Sequence, residues 1–493
     1  MWQRIAAIST LLAAAAAYPQ QTSAQITQEF RDSISSASQI FFPSDSNWAN
    51  ETTQRWDVYE PTVPTYVAAI KPATEADVSA AVQIAQKNNI PFLATGGGHS
   101  LSVTLGKLKN GISIDLGHFK KVVVDSSAQT VTLGGANIIR DAIGPVWDAG
   151  FELVTGSCSC VGLLGATLGG GVGRLQGLHG LILDNVISFK VVLASGKIVT
   201  ASKKENSDLF WGMRGAGHNL GIVLEATYKI YKATNGGKAL LADVILPANV
   251  SHAHWETWKK LVPNLPAELA MFSLINYDET VGGINILLNF VYYGPEDKGR
   301  KLIAPFLANS PLVSNITYIN VKDVFDLASF GRGADPNCRR GNYVNSYSVG
   351  TKNTDVATLD KHFADMKDFY EKYPQARGST TTIESLPVQG VLAQPKNSTA
   401  YPSKHREIRT HMLWGYVYTD MSIDAKVNAF AKNARDLFTK TSGFDDLELY
   451  ATYAHGDEGP DVWYRESLPN LKSLKARYDS KNVFRYMFPV QGS

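Results

Sequence analysis

The chain has 493 residues, enough for two ordinary domains or one large domain with an insertion. Its composition is globular, with 44% hydrophobic residues, 19% charged residues and 41 glycines. A net charge of +2, with no basic block longer than Lys203-Lys204, leaves no electrostatic basis for binding DNA, RNA or an anionic membrane.

Residues 1–24 read as a signal peptide. Arg4 supplies the positive charge, Ile5 to Ala17 the uncharged apolar run, and Ala15-x-Ala17 and Thr22-Ser-Ala24 two small-residue cleavage sites. The run is shorter than the roughly 20 residues a membrane span needs. Sequons at Asn50, Asn249, Asn315 and Asn397 fit a secretory route. The expectation is a soluble protein that is secreted or held in an endomembrane lumen.

Thr74 starts a helix. Its hydroxyl can cap, Asp77 follows three residues later, and Val78, Ala81, Val82 and Ala85 form one apolar stripe. Ile90 to Ala94 reads as a buried strand running into Thr95-Gly96-Gly97-Gly98-His99-Ser100. Short strands follow at Ile112 to Leu116, Val122 to Asp125 and Thr130 to Leu133. A helix from Ile138 to Ala149 precedes a second glycine-rich segment, Gly156 to Gly173. Strands return at Ile187 to Leu193 and Gly221 to Ile230. From about 236 the texture changes: strands at Ala239 to Leu246, Ala270 to Tyr277 and Gly283 to Tyr293 are separated by amphipathic helices such as Pro295 to Ala308. This reads as α+β with an antiparallel sheet. A helix from Leu468 to Tyr478 lies near the end.

Three cysteines are an odd count for an exported protein, so one thiol is reactive or otherwise committed. Cys158-Ser-Cys160 has no neighbouring His or Cys in the sequence to complete a tetrahedral metal site, and no metal is expected. A pairing of Cys160 with Cys338 is open at this point.

Three glycines after a buried strand let backbone N–H groups approach a ligand closely, which suits a pyrophosphate. Leu168-Gly169-Gly170-Gly171-Val172-Gly173 lacks the spacing of a Rossmann fingerprint and the ribose-binding acid beyond it. Each glycine run carries one special nucleophile, His99 or Cys158.

The segments Thr95-Gly-Gly-Gly-His99-Ser100 and Gly156-Ser-Cys158-Ser-Cys160-Val161-Gly162-Leu-Leu-Gly165-Ala166-Thr-Leu-Gly169-Gly170-Gly171 resemble the berberine bridge enzyme-like FAD oxidases, within the vanillyl-alcohol oxidase/PCMH flavoprotein superfamily. Supporting matches are Asp208-Leu-Phe-Trp211-Gly-x-Arg214-Gly, Gly217-x-Asn219-x-Gly221-Ile222-Val223 and Tyr478-Asp479-x-x-Asn482-Val-Phe484. The resemblance implies an α+β protein. Its PCMH-type FAD-binding domain would comprise residues 25–235 and a returning tail at 444–493, and the inserted α+β substrate domain, 236–443, would be built on an antiparallel sheet. It implies bicovalent FAD, His99 bonding the 8α-methyl and Cys158, three residues before the Val-Gly pair, bonding C6. Thr95, Gly96, Gly97, Gly98, Ser100, Val161, Gly162, Gly165, Gly169, Gly170, Gly171, Gly221, Ile222 and Asn482 are the further cofactor-binding residues it implies.

Tyr450-Ala-Thr452-Tyr453 resembles the family's Tyr-x-Asn-Tyr motif, which makes Tyr453 the implied catalytic base and Tyr450 a second candidate. A tyrosine with a pKa near 10 needs a nearby cation or a strong hydrogen bond to act near neutrality. The motif's asparagine is Thr452 here, and the histidine several relatives carry at position 166 is alanine. Val161 stands where valine accompanies oxygen reactivity in the family. The sugar oxidases place a carboxylate opposite the tyrosine; Glu384 lies in the corresponding stretch without a convincing register, which counts against carbohydrate specificity. The leading expectation is a secreted glycoprotein of secondary metabolism, an oxidase of a natural-product-like alcohol, phenol or amine. It would use O2, release H2O2 and in some cases end in cyclisation or desaturation. A sugar or oligosaccharide oxidase making lactones is the alternative, and a redox-silent flavoprotein scaffold or non-redox cyclase a third. The partners expected are a small-molecule substrate and O2, with a monomer favoured.

Overall fold

The computed structural model describes residues 23–332 and 338–491. The apolar run and most of the signal segment lie outside them. Among the described residues no helix is long and apolar enough to cross a membrane.

The N-terminal half supplies two small sheets. The first contains β1 (Gln39–Phe41), β2 (Tyr66–Lys71), β3 (Phe92–Thr95) and β4 (Gly111–Asp115), in the order β1-β2-β4-β3. β3 and β2 run parallel to β4. The helix Glu75–Lys87 leads into β3, and its capping box pairs the Thr74 hydroxyl with the Asp77 amide and the Asp77 carboxylate with the Thr74 amide. Its stripe of Val78, Ala81, Val82 and Ala85 is buried against Ile70, Ile112 and Ile114. β3 ends at Thr95, so the first glycine turn leaves from the carboxyl edge of parallel strands, where crevices form in open α/β sheets.

The next strands are β5 (Val122–Asp125), β6 (Thr130–Gly134), β7 (Phe151–Glu152), β8 (Val186–Val192), β9 (Ile198–Ser202), β10 (Ile222–Lys229) and β11 (Tyr231–Lys232). Five of them form the antiparallel sheet β5-β6-β10-β8-β9, and β7 pairs with β11. The second glycine-rich segment is not all loop: Leu163–Gly169 is a short helix.

Seven strands form one antiparallel sheet: β12 (Lys238–Pro247), β13 (Leu269–Asp278), β14 (Gly283–Tyr292), β15 (Val313–Asn320), β16 (Val344–Thr351), β17 (Thr380–Ser385) and β18 (Thr410–Val417). Their order is β15-β12-β14-β13-β17-β18-β16. Strand alternation divides its two faces. Met271 and Ile275 of β13 pack under the helices Ser251–Leu261, Glu296–Leu307, Val356–Lys372 and Asp424–Thr441, in a core with Trp255, Trp258, Phe306 and Met366. Phe272, Leu274 and Asn276, one residue out of phase, face a large cavity beneath the sheet.

The tail returns to the first two sheets. The helix Leu468–Tyr478 packs on the helix Ser207–Ala216. Buried Lys475 donates to the Asn219 carbonyl at 2.8 Å and to Asp479 at 2.6 Å. Asp479 in turn accepts from the Val483 and Phe484 amides. The side chain of Asn219 donates to Tyr464 and Phe488 and accepts from the Val490 amide. The Gly217-x-Asn219 and Tyr478-Asp479 motifs are therefore clamps that fix the tail.

Candidate active site

The cavity has a volume of about 840 Å³. Its floor is the two glycine-rich segments, its roof the free face of the seven-stranded sheet. At one end it is closed by Phe484, Tyr486 and Met487 from the tail.

The two glycine segments cross back to back. A Cβ on Gly97 would stand 2.5 Å from the Gly162 backbone, and one on Gly162 would stand 2.9 Å from Gly97. Glycine is needed here because two main chains touch. The N-terminal segment straps the first turn: Arg55 donates to the Ser100 carbonyl at 2.6 Å, and the Trp56 amide donates to the Gly98 carbonyl at 2.9 Å. Arg340 donates to the Gly97 carbonyl at 2.7 Å from the other side.

His99 emerges from this crossing with its ring stacked on Trp56 at 4.6 Å. Burial, followed by the charge of Arg340, lowers its pKa to about 4, so the ring is neutral at pH 7 with a nitrogen lone pair available. Cys160 and Cys338 form a disulfide across 178 residues. The odd thiol is therefore Cys158, the one the family resemblance singles out. Burial raises its pKa, opposed by the Cys160 and Val161 amides and the Arg140 charge. A His99 ring nitrogen and the sulfurs of Cys158 and Cys160 lie within 4.8 Å of one another, a grouping the local sequence around Cys158 does not show. With the Cys160 sulfur in a disulfide, His99 and Cys158 are two donors, short of the four a structural zinc site takes. Two nucleophilic atoms this close on one wall of a large cavity fit the edge of a flavin.

On the opposite side, the Tyr453 hydroxyl donates to Glu384 Oε2 at 3.1 Å. β17 places that carboxylate: Glu384 pairs with Phe272 of β13 and His411 of β18, and it shares the cavity face with Thr380 and Thr382. The missing register is thus present, and the reading that Glu384 lacks one is corrected. Alternation along Thr380, Thr382 and Glu384 is the signal that carries it. Burial pushes the Glu384 carboxyl up to about 7, against the opposing Tyr453 hydrogen bond and Arg174 charge. Burial and this carboxylate raise the Tyr453 phenol well above its ordinary range. Tyr450 is tied to main chain. It accepts from the Gly171 amide at 2.8 Å and donates to the Ala166 carbonyl at 3.3 Å, and burial holds it at about 12.

Thr95, Gly96, Gly97, Gly98, Ser100, Val161, Gly162, Gly165, Gly171, Gly221 and Ile222 all line the cavity with His99, Cys158, Tyr450 and Tyr453. Gly169, Gly170 and Asn482 are not among its lining residues. Gly170, at φ +142°, fits against the Tyr401 and Tyr450 rings, and Asn482 turns left-handed at φ 50° in the tail clamp. Ala166 and Thr452 do line it, as does His218, whose pKa burial lowers to about 4. Sequence reasoning did not single out Trp56, Arg174, His218 or Phe272.

An FAD binding domain model matches residues 67–202, and a berberine and berberine-like model matches residues 449–490. Over 92% of its length the chain is 41% identical to the FAD-linked oxidoreductase azaL of Aspergillus niger, covering 95% of that protein. The chain belongs to the berberine bridge enzyme-like FAD-linked oxidoreductases. It is also 38% identical to the FAD-linked oxidoreductase srdI of Neurospora crassa, over 93% of this chain and 91% of that one. Among solved structures, a xylooligosaccharide oxidase from Myceliophthora thermophila superposes with a TM-score of 0.79 at 23% identity, covering 95% of this chain and 99% of that one. Physcomitrella patens BBE-like 1 does so with a TM-score of 0.80 at 20% identity, over 95% and 100%. These two likenesses establish the PCMH-type fold. This family member is an oxidoreductase with FAD as cofactor.

Proposed function

We propose that this protein is a secreted oxidase of a natural-product-like alcohol or phenol, holding FAD through two covalent bonds, His99 to the 8α-methyl and Cys158 to C6. The observation that carries the reading is the pairing of two nucleophiles within 4.8 Å on one wall with a tyrosine–carboxylate base on the roof side of the same cavity. When bound, FAD supplies hydride acceptance from substrate and electron transfer to O2, giving H2O2.

The chain's own residues supply the rest. Neutral His99 and the lone thiol Cys158 hold the cofactor's edge while the crossed glycine turns keep that wall rigid. Tyr453 takes the substrate hydroxyl proton as it passes its own to Glu384. That route avoids a free phenolate, which burial disfavours, and leaves the proton on a carboxyl of pKa about 7, suited to neutral pH. Val161 beside Cys158 leaves room for O2. Phe272, Leu274, Leu287 and Leu413 give the roof an apolar surface for a bulky ring system. The Cys160–Cys338 disulfide and the exposure of all four sequon asparagines, Asn50, Asn249, Asn315 and Asn397, support a secretory route.

The Tyr453–Glu384 pair also favours a second reading, an oligosaccharide oxidase, because it supplies the carboxylate that reading requires. Peroxide release with cello-, xylo- and chito-oligosaccharides against a panel of aromatic alcohols separates the two. The deciding test of the tether is intact mass and acid precipitation of wild type, His99→Ala, Cys158→Ala and the double variant. The wild-type and single-variant polypeptides stay yellow, and only the double variant releases its dinucleotide. A colourless wild-type precipitate with free FAD in the supernatant refutes it.

A further inference from the structure

Arg174 closes the second glycine-rich segment and is only 6% exposed. Its guanidinium carbon sits 4.2 Å over the ring of Phe272 on the roof, and it lines the cavity with Glu384 and Phe272. Nη1 is buried with no hydrogen-bond partner. The other buried arginines all have hydrogen-bond partners: Arg214 donates to the Phe210 and Ser398 carbonyls. Arg406 forks onto both oxygens of Asp184 at 2.9 Å, and Arg435 meets Asp457 at 2.8 Å and Glu458 at 2.9 Å. Glu384, Asp243 and Tyr293 act on Arg174 only through longer-range charge. A buried cation without a counter-ion is costly, and removing one member of a buried pair leaves a similar cost. Arg174 lines a second pocket of only about 40 Å³ as well, so of the two the large cavity has the room for an organic counter-ion.

We propose that Arg174 is the recognition group for an acidic oxygen of the substrate, so that the cavity selects a carboxylate or an acidic phenol over its neutral isostere. This deepens the oxidase reading and rests on it. The guanidinium fork matches a carboxylate in two parallel hydrogen bonds and meets a phenolate in one or two. A neutral sugar or ester in the same place leaves the guanidinium unpaired, and a site built for a polar group rejects ligands that lack it. Phe272 holds the fork in place by stacking, and the apolar roof accepts the ring that carries the acidic oxygen.

The test is isothermal titration of the flavin-loaded protein with salicylate against salicylamide, and with para-nitrophenolate against para-nitroanisole. The two pairs distinguish a carboxylate from a phenolate as the preferred anion. In at least one pair the anion binds about tenfold more tightly or better, as a charge-assisted hydrogen bond supplies. Arg174→Gln brings the anion down to the level of its neutral partner without weakening the neutral one, and Arg174→Lys keeps part of the preference. Equal binding within both pairs by wild type, or an anion preference that survives in Arg174→Gln, overturns the proposal. If the glutamine variant fails to fold, the wild-type pairs and the lysine variant decide. Yellow protein with no anion preference sinks this inference and leaves the oxidase reading standing. Wild type that binds no flavin at all sinks both.

Discussion

Replacing Glu384 with glutamine removes the carboxyl of the proposed tyrosine–carboxylate base while keeping an oxygen to accept from Tyr453. In the folded protein that carboxyl has moved from an ordinary 4.5 to about 7, chiefly through burial. The difference of 2.5 units corresponds to about 3 kcal/mol at 1.36 kcal/mol per unit. The sign follows from which state holds the proton. Between the two values the folded chain keeps a proton that the unfolded chain has released, so this group's contribution to stability is full below 4.5 and is lost as pH rises through 7. Glutamine has no such titration. The stability of Glu384→Gln relative to wild type should therefore rise by up to about 3 kcal/mol between about pH 4 and pH 8. Denaturant unfolding of the flavin-loaded proteins across that range measures the change and needs no substrate. The same carboxyl must be ionised to receive the Tyr453 proton. Wild-type kcat/KM accordingly rises with pH through about 7, whereas the variant is flat across that limb and about 10²–10⁴-fold slower. A wild-type-to-variant stability difference that does not move with pH, or a variant that keeps the limb, refutes the reasoning.

Gly97→Ala drives a methyl into the Gly162 backbone, 2.5 Å away, where no flexible side chain can yield. A loss of about 1–3 kcal/mol in unfolding free energy, together with poor flavin loading, is expected from expression and absorbance. Cys338→Ser frees the segment around Arg340 from the Cys158 loop. It should cost about 2–5 kcal/mol on the thermal unfolding curve and lower the fraction of covalently loaded chains seen by mass. Val161→Leu fills the space beside Cys158. In stopped-flow it should slow reoxidation by O2 while leaving the rate of anaerobic reduction unchanged, and equal slowing of both half-reactions would count against a role in oxygen access.

The elements read from the sequence differ little from those in the structure. The capped helix begins one residue after Thr74, the tail helix spans Leu468–Tyr478 as expected, and β3, β4, β5, β6, β8, β10, β12, β13 and β14 lie within two residues of their expected bounds, while β1, β2, β7, β9, β11 and β15 to β18 have no counterpart among the expected strands. The reason is local: capping, strand alternation and turn chemistry act within a few residues. The second glycine segment departs from the expectation because Leu163–Gly169, rich in small and apolar residues, coils into a helix once Ala166 and Leu168 are buried.

The sequence by itself determined the floor of the site. His99 directly follows its glycine turn and Cys158 opens the second segment, so each nucleophile travels with the backbone geometry that presents it. Only the tertiary structure could decide what faces that floor. Glu384 and Tyr453 are 69 residues apart, and Cys160 and Cys338 are 178 apart. Arg174 meets Phe272 across the gap between a loop and a sheet. Pairings of this kind depend on strand register and on how the sheet docks over the glycine turns, which no short stretch of chain encodes. The glycines themselves illustrate the division: their spacing announces a close approach, and the fold reveals that at Gly97 the chain approaches itself, at Gly162.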